Sequence, residues 1–366
     1  MDTEIFLVAT PGLEAPLADE ARHLGFAGVA QTSGGVTLRG GWHEIMRANL
    51  ALRGATRVLV RIAEFRAMHP AQLDKRARKV NWGAWLRADL PVRVEAVCRK
   101  SRIYHAGAAQ SRVERAISEE LGARVSDGAG ISVKVRIEDD LCTISLDTSG
   151  ESLHKRGHKQ AVGKAPMRET MAAMFLHGCG YRGEGPVYDP MSGSGTFVIE
   201  AAEIAAGLLP GRSRGFAFEK LAGFDASAFA AMQARAGRRQ VPARFFGSDR
   251  DAGAVRMAEA NTTRAGVADL CAFACHPAGD MVPPCPEPGL VIVNPPYGGR
   301  IGKPGPLFGL YAALGARLLA GFSGWRVGLV TSQDGLARAT GLPWLQPGPI
   351  VAHGGLKVRL WRTGPI

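Results

Sequence analysis

Apolar residues recur at two spacings along the first 150 residues. Ile5 to Val8, Val36 to Leu38 and Arg57 to Ile62 are short apolar or alternating runs with the period of a strand. Leu13 to Leu24 and Trp42 to Ala51 instead carry apolar residues three and four apart, the period of a helix packed on one face. The pattern predicts a small α+β fold. A second cycle follows, with a strand at Val92 to Val97, a helix over Ser111 to Leu121, and strands at Ile131 to Ile137 and Cys142 to Asp147. Glu138-Asp139-Asp140 between the last two predicts a hairpin turn. After Gly150 the stretch ESLHKRGHKQAVGK is polar, basic and without period, and the domain boundary is placed there, between 1–154 and 155–366.

Beyond Pro166 the pattern changes. Met167 to Leu176 reads as a helix, Val187 and Tyr188 as a strand, and Thr196 to Ala206 as a second helix behind a glycine-rich turn. A strand then ends at Asp249, a helix spans Ala252 to Ala265, a strand leads to Asp280, and Leu290 to Val293 is an apolar strand. The helix Leu307 to Leu319 and the strand Val327 to Thr331 continue the alternation. Alternating strands and helices predict a mainly parallel sheet with crossovers, which binds ligands at the carboxyl ends of its strands. No repeat of 20 to 50 residues interrupts this order, so a solenoid or propeller is not expected.

Length and composition narrow the class. The 366 residues suffice for two domains, hydrophobic residues make up 46%, and no run approaches the ~18 apolar residues of a membrane span. The opening MDTEIFLVAT is acidic where a secretory leader is basic, so a soluble, cytoplasmic protein without a membrane partner is expected. Six cysteines, at 98, 142, 179, 271, 275 and 285, are too sparse for a disulfide framework. Cys271, Cys275, His276 and Cys285 lack paired CxxC spacing, and no metal site is expected.

Charge points to an acidic partner. There are 45 Lys+Arg against 33 Asp+Glu, a net +12, with a sequence pI near 9.8. Residues 75–115 are the most biased, with 11 basic and 3 acidic side chains interleaved with Trp82, Trp85 and Tyr104. Such a segment fits a nucleic-acid surface, and equally an amphipathic face whose aromatics are core.

Three strand ends carry candidate chemistry. Asp189-Pro190-Met191-Ser192-Gly193-Ser194-Gly195-Thr196 runs from a short strand into a helix, and its glycines let the backbone approach a ligand. It lacks the lysine of a phosphate loop and the third glycine of a dinucleotide fingerprint. Its acidic tip suits a ligand with an ammonium group, such as the methionine part of S-adenosylmethionine. In Gly247-Ser248-Asp249-Arg250-Asp251 a carboxylate at the strand end can accept ribose hydroxyls, with Asp249 preferred over Asp251. Asp280, in Gly279-Asp280-Met281, is a candidate acceptor for an adenine amine.

The sharpest signal is Asn294-Pro295-Pro296-Tyr297-Gly298, directly behind the strand Leu290 to Val293. The exocyclic amine of a base is a poor nucleophile because its lone pair is delocalised into the ring. The Asn294 side-chain oxygen and the Pro295 carbonyl can hold the amine hydrogens and aim the lone pair, while the prolines stiffen the backbone and Tyr297 stacks on the base.

DPMSGSGTFVIEAA, GSDRDAGAV and NPPYGGRIG resemble the class I S-adenosylmethionine-dependent RNA methyltransferases that carry an N-terminal THUMP domain. TPGLEAPLADE, GGVTLRG, VNWGAWL and SLDTSGESLHKRGHKQAVGKAPMRETMAA extend the likeness over nearly the whole chain. It is nearest to the bacterial large-subunit ribosomal RNA guanine N2-methyltransferases. The resemblance implies a ferredoxin-like and THUMP region for RNA, followed by a Rossmann-like catalytic domain.

It also implies S-adenosylmethionine as cofactor. The methionine part is then held by Asp189, Gly193 and Gly195, the ribose by Asp249, and the adenine by Asp280. Met191, Ser194, Thr196, Arg250, Met281 and Asn294 complete the cofactor set, and Asn294 to Tyr297 take the target base. Lys164 to Met167 resembles a segment that covers the cofactor, and His154 and His158 fall on an expected basic surface. Ser192 stands where the family usually has Cys, and some relatives carry a second methyltransferase unit that is not expected here. The expected reaction is methylation of the 2-amino group of a guanine in 23S ribosomal RNA, with no obligate protein partner. Transfer RNA guanine, adenine N6 and a non-catalytic RNA-binding assembly factor are the alternatives.

Overall fold

The computed structural model describes residues 2–159, 167–242, 244–298 and 304–366, without the side chains of 304 and 305. The first half contains β1 (Thr3–Val8), α1 (Glu14–His23), β2 (Ala30–Thr32), β3 (Gly35–Gly40), α2 (Trp42–Ala51), β4 (Arg57–Arg66), α3 (Pro70–Ala77), β5 (Val92–Arg99), α4 (Ala106–Leu121), β6 (Ile131–Glu138) and β7 (Leu141–Asp147). Then follow α5 (Glu169–Gly178), β8 (Val187–Asp189), α6 (Thr196–Ala205), α7 (Ala226–Ala234), β9 (Phe245–Asp249), α8 (Ala252–Ala265) and β10 (Cys271–Cys275). The chain closes with β11 (Leu290–Val293), α9 (Pro304–Gly321), β12 (Arg326–Thr331), α10 (Asp334–Ala339), β13 (Val351–His353) and β14 (Leu356–Arg362). Two compact units result, one from residues 1–9, 21–153 and 214–235, the other from 10–20, 154–213 and 236–366.

In the first unit seven strands form one sheet in the order β2-β3-β1-β4-β7-β6-β5. Its neighbours are antiparallel except β5 and β6, which run parallel. The hairpin of β6 and β7 turns on Asp139 and Asp140, at φ 49° and 62°. Two successive residues with positive φ match the right-handed twist of the flanking strands, and Asp tolerates that region better than most residues.

The aromatics of the basic segment divide. Trp82 is buried and its indole N–H donates to the Ala77 carbonyl at 3.0 Å, and Trp85 packs against Trp42 with ring centroids 5.9 Å apart. Both are core. Tyr104 alone of the three is open, 84% exposed. Much of the positive charge is also paired locally: Arg78 with Asp74, Glu119 and Glu120, Arg87 with Asp89, and Arg115 with Asp74. Residues 214–235 add a cluster in which Phe218 and Phe229 meet edge to face at 5.1 Å, held by α7, whose N-cap Asp225 accepts from the Ser227 and Ala228 N–H groups.

The second unit is Rossmann-like. Its strand order is β10-β9-β8-β11-β12-β14-β13. The first five strands are parallel, and β14 runs antiparallel to β12 and β13. The order reverses between β8 and β11, which opens a crevice at the carboxyl ends of the strands. β11 is buried along its whole length and packs into a core with Tyr188, Tyr311, Phe322 and Trp325. The third strand of this half ends at Cys275, before the expected Asp280. Pro277 has no N–H to continue the ladder, and Ala278–Asp280 forms a 3-10 turn instead. No helix among the described residues is long and apolar enough to cross a membrane.

Candidate active site

β8 delivers Asp189 to the carboxyl edge of the sheet, where it is 2% exposed and accepts from the Met191 N–H at 3.0 Å. β9 delivers Asp249, whose two oxygens accept from the Gly193 N–H and the Asp251 N–H, each at 3.0 Å. This carboxylate therefore ties the glycine turn of one strand to the end of the next. Gly193 sits at φ 51° with open space where a Cβ would project, as a close ligand approach requires. Gly195 differs: its Cβ would meet Ala258 at 3.1 Å, so that glycine serves helix packing.

A cavity of about 360 Å³ opens above these strand ends. Met191, Asp249, Arg250 and Asn294 to Gly298 line it, with Pro277 to Gly279 as an apolar wall. The Asn294 side-chain oxygen is buried and has no hydrogen-bond partner among the described residues. An unpaired buried carbonyl is expensive, so this atom is poised for a donor from a ligand. The Tyr297 carbonyl accepts from the Gln333 amide at 2.9 Å, which fastens the Asn-Pro-Pro-Tyr turn to the loop after β12. Ser192 presents a second orphan, a buried hydroxyl without a partner among the described residues.

Several expected site residues lie elsewhere. Thr196 is buried and accepts from the Lys159 ammonium at 2.9 Å, while the Ser194 carbonyl accepts from Asn261 at 3.0 Å. Neither borders the cavity, nor does exposed Asp280, and Met281 is buried in the hydrophobic core. Asp251 caps α8 by accepting from the Gly253 N–H at 2.7 Å. It starts the helix, and of the two carboxylates Asp249 alone lines the cavity. Asp249→Ala is expected to weaken cofactor binding by about tenfold or more, because the change removes an acceptor and frees the Gly193 turn. Asp251→Ala should leave that affinity unchanged and cost about 1 kcal/mol of stability. Calorimetric titration and thermal melting separate the two.

In the segment expected as a basic surface, Lys155 is exposed but Arg156 and His158 are buried. Arg156 pairs with Glu200 of α6 at 3.1 Å, each side chain 1% exposed. Buried His158 faces Glu203 at 3.8 Å. Lys159 bonds Glu169 at 3.3 Å and the Met167 carbonyl at 2.8 Å. Burial, then the nearby Arg168 and Arg156, pushes the His154 imidazole down to about 4, and burial lowers His158 as well. Both histidines are thus neutral at physiological pH and add no charge for RNA. Lys164 to Pro166 lie outside the described residues.

Burial, then the charge of Asp249, raises the Asp189 carboxyl to about 8 from its ordinary 3.8. At neutral pH the free protein holds it mostly protonated. The neutral form is the one the fold prefers, so its stabilising effect is complete below about 4 and is lost as pH rises through about 8. A cation bound beside Asp189 favours the ionised form and expels the proton. S-adenosylmethionine binding at pH 7 should therefore release protons, strengthen as pH rises to about 8, and become pH-independent above that. Calorimetry in buffers of different ionisation enthalpy measures the release, which Asp189→Asn should abolish.

These features fit S-adenosylmethionine: a glycine turn open to close approach, a carboxylate at a strand end, apolar walls for a planar ring, and paired acids for a cation. Residues 156–344 match the RMKL-like methyltransferase domain, and residues 4–59 match the RlmL ferredoxin-like domain. A curated relative, ribosomal RNA large subunit methyltransferase K/L from Syntrophotalea carbinolica, is 37% identical over 93% of this chain and 51% of its own length. The chain spans about half the length of the curated relatives it matches.

Among solved structures, a protein from Listeria monocytogenes described as a predicted N6-adenine-specific DNA methylase is 30% identical with a TM-score of 0.90, over 100% of this chain and 97% of that one. SMU.472, assigned as a methyltransferase and solved in complex with SAH, is 26% identical with a TM-score of 0.89, over 100% and 98%. With this strand order, and with Met191, Asp249 and the Asn-Pro-Pro-Tyr turn lining one cleft that Asp189, Gly193 and Gly195 do not themselves border, the chain belongs to the RMKL-like methyltransferase family.

Proposed function

We propose that this chain methylates the exocyclic 2-amino group of a guanine in 23S ribosomal RNA. The methyl donor is S-adenosylmethionine, which when bound supplies a methyl group on a positively charged sulfur. Gly193, Met191 and Asp249 hold it, with Asp189 beneath as the acid that ionises beside the ammonium. The observation that carries the reading is the buried Asn294 oxygen in the cleft, unpaired among the described residues.

That oxygen accepts one amine hydrogen and the Pro295 carbonyl accepts the other, which keeps the nitrogen lone pair directed at the donor side. Tyr297 stacks on the base and holds its plane. Positioning of this kind is worth several orders of magnitude in rate without an acid–base pair. The names of the curated relatives favour ribosomal RNA. The turn after β5 carries Lys100, Arg102 and exposed Tyr104, a small cationic and stacking surface suited to RNA. A base buried in structured RNA must be swung out to reach Tyr297.

Adenine N6 is the second reading, favoured by the description of the Listeria relative. Incubation with labelled S-adenosylmethionine and unmodified ribosomal or transfer RNA, followed by nucleoside mass spectrometry, tests both. N2-methylguanosine confined to large-subunit RNA is the expected result. Label on adenine or in transfer RNA overturns the proposed acceptor.

A further inference from the structure

A second cavity, of about 550 Å³, opens in the second unit and shares no lining residue with the cleft. Arg326 begins β12, Arg362 ends its antiparallel neighbour β14, and both line this cavity. From Arg326 the strand β12 runs to Thr331, a length of about 17 Å at the usual rise of a strand. The cavity thus lies at the amino end of the parallel strands, whereas Asn294 follows the carboxyl end of β11, which is parallel to β12.

Three arginines converge there on the end of α5. Three consecutive carbonyls each accept from a different one: His177 from Arg182 at 2.9 Å, Gly178 from Arg362 at 2.7 Å and Cys179 from Arg326 at 2.8 Å. Arg182 also donates to the Tyr181 carbonyl and to the His177 ring, each at 2.9 Å. None of the three forms an ion pair among the described residues, in contrast to Arg78, Arg87 and Arg115. A helix C-terminus carries roughly half a negative charge, which one cation complements and three exceed. Asp19 is the only carboxylate among the described residues that line the cavity, and it offsets one more. Positive charge is left over. Arg326 and Arg362 each spend one N–H on a carbonyl, so most of the five donors of each guanidinium remain for a ligand.

Arg182 and Arg362 are exposed and Arg326 is half-buried, so a polyanion reaches the charges without being enclosed. On the same wall Leu345 is 52% exposed, and Leu13 and Pro16 continue the apolar surface. A guanidinium fork matches phosphate oxygens, and an unpaired base lies flat against a guanidinium plane or an apolar side chain. We propose that this cavity binds a nucleotide of the RNA substrate remote from the target base, with Arg182, Arg326 and Arg362 on its phosphate and Leu345 against its base. The inference rests on the RNA acceptor proposed above. A contact at this end of the sheet contributes affinity and register and takes no part in methyl transfer.

RNA affinity of the full chain, measured across a range of salt, tests the site. Arg362→Gln should weaken RNA binding about threefold or more at fixed salt and reduce the slope of log Kd against log salt by about one, with the Kd for S-adenosylmethionine within about twofold. Arg326→Gln should act alike, and Arg362→Lys, which keeps the charge, should keep the slope. A role confined to capping α5 would lower Tm and leave the slope where it is, so an unchanged slope in both glutamine variants overturns the proposal. In NMR of the wild-type chain, the arginine Nε–H resonances identified by their loss in each variant should shift on titration with a short oligoribonucleotide. A shift with inorganic phosphate and none with the oligoribonucleotide marks a small-anion site and also overturns it. Absence of methyl label from every RNA instead overturns the acceptor reading, which the binding slopes do not depend on, so the two failures are distinct.

Discussion

Asn294→Ala is expected to reduce methyl transfer by about a thousandfold or more while the cofactor dissociation constant changes by less than about threefold. The side-chain oxygen is buried and unpaired among the described residues, so truncation breaks no hydrogen bond that this oxygen makes there. What disappears is the acceptor for one amine hydrogen. The base can still enter and stack on Tyr297, yet its lone pair is no longer held towards the donor. Asn294→Asp retains an oxygen at the same reach and should fall between the two. Single-turnover rates and calorimetric titration on the same preparations give the split, and turnover within about tenfold of wild type in the alanine variant would remove the assigned role.

Glu200→Gln is expected to destabilise the protein by about 3–5 kcal/mol. Arg156 and Glu200 face each other at 3.1 Å with both side chains 1% exposed, so the amide leaves a guanidinium buried against a neutral partner. Thermal denaturation should show a lower Tm. The exposed pair Arg87 and Asp89 supplies the contrast, because water screens it, and Asp89→Asn should leave Tm unchanged. Equal melting of wild type and Glu200→Gln would mean that the pair adds nothing to the fold.

The candidate site was legible where its chemistry is local. The strands ending at Asp189, Asp249 and Val293 each show an apolar run broken by an acidic, glycine or proline turn, and such runs are set by a few neighbouring residues. Tertiary context redirected others. Ser194 and Thr196 belong to the glycine turn in sequence, yet Asn261 and Lys159 draw them into the interior. Trp82 and Trp85 lie among basic residues, and composition alone does not reveal which aromatic is buried and which, like Tyr104, is open.

By itself the sequence determined the periodic elements, the alternation that makes a parallel sheet, and the turn chemistry at three strand ends, because each depends on short-range spacing. Only the tertiary structure decided strand order, which brings residues 353 and 356 to the cleft that holds Asn294. It also decided that residues 214–235 pack with the first unit. Burial of Arg156 against Glu200 belongs to the same class, since periodicity marks a residue as apolar or polar but says nothing of which distant partner it meets.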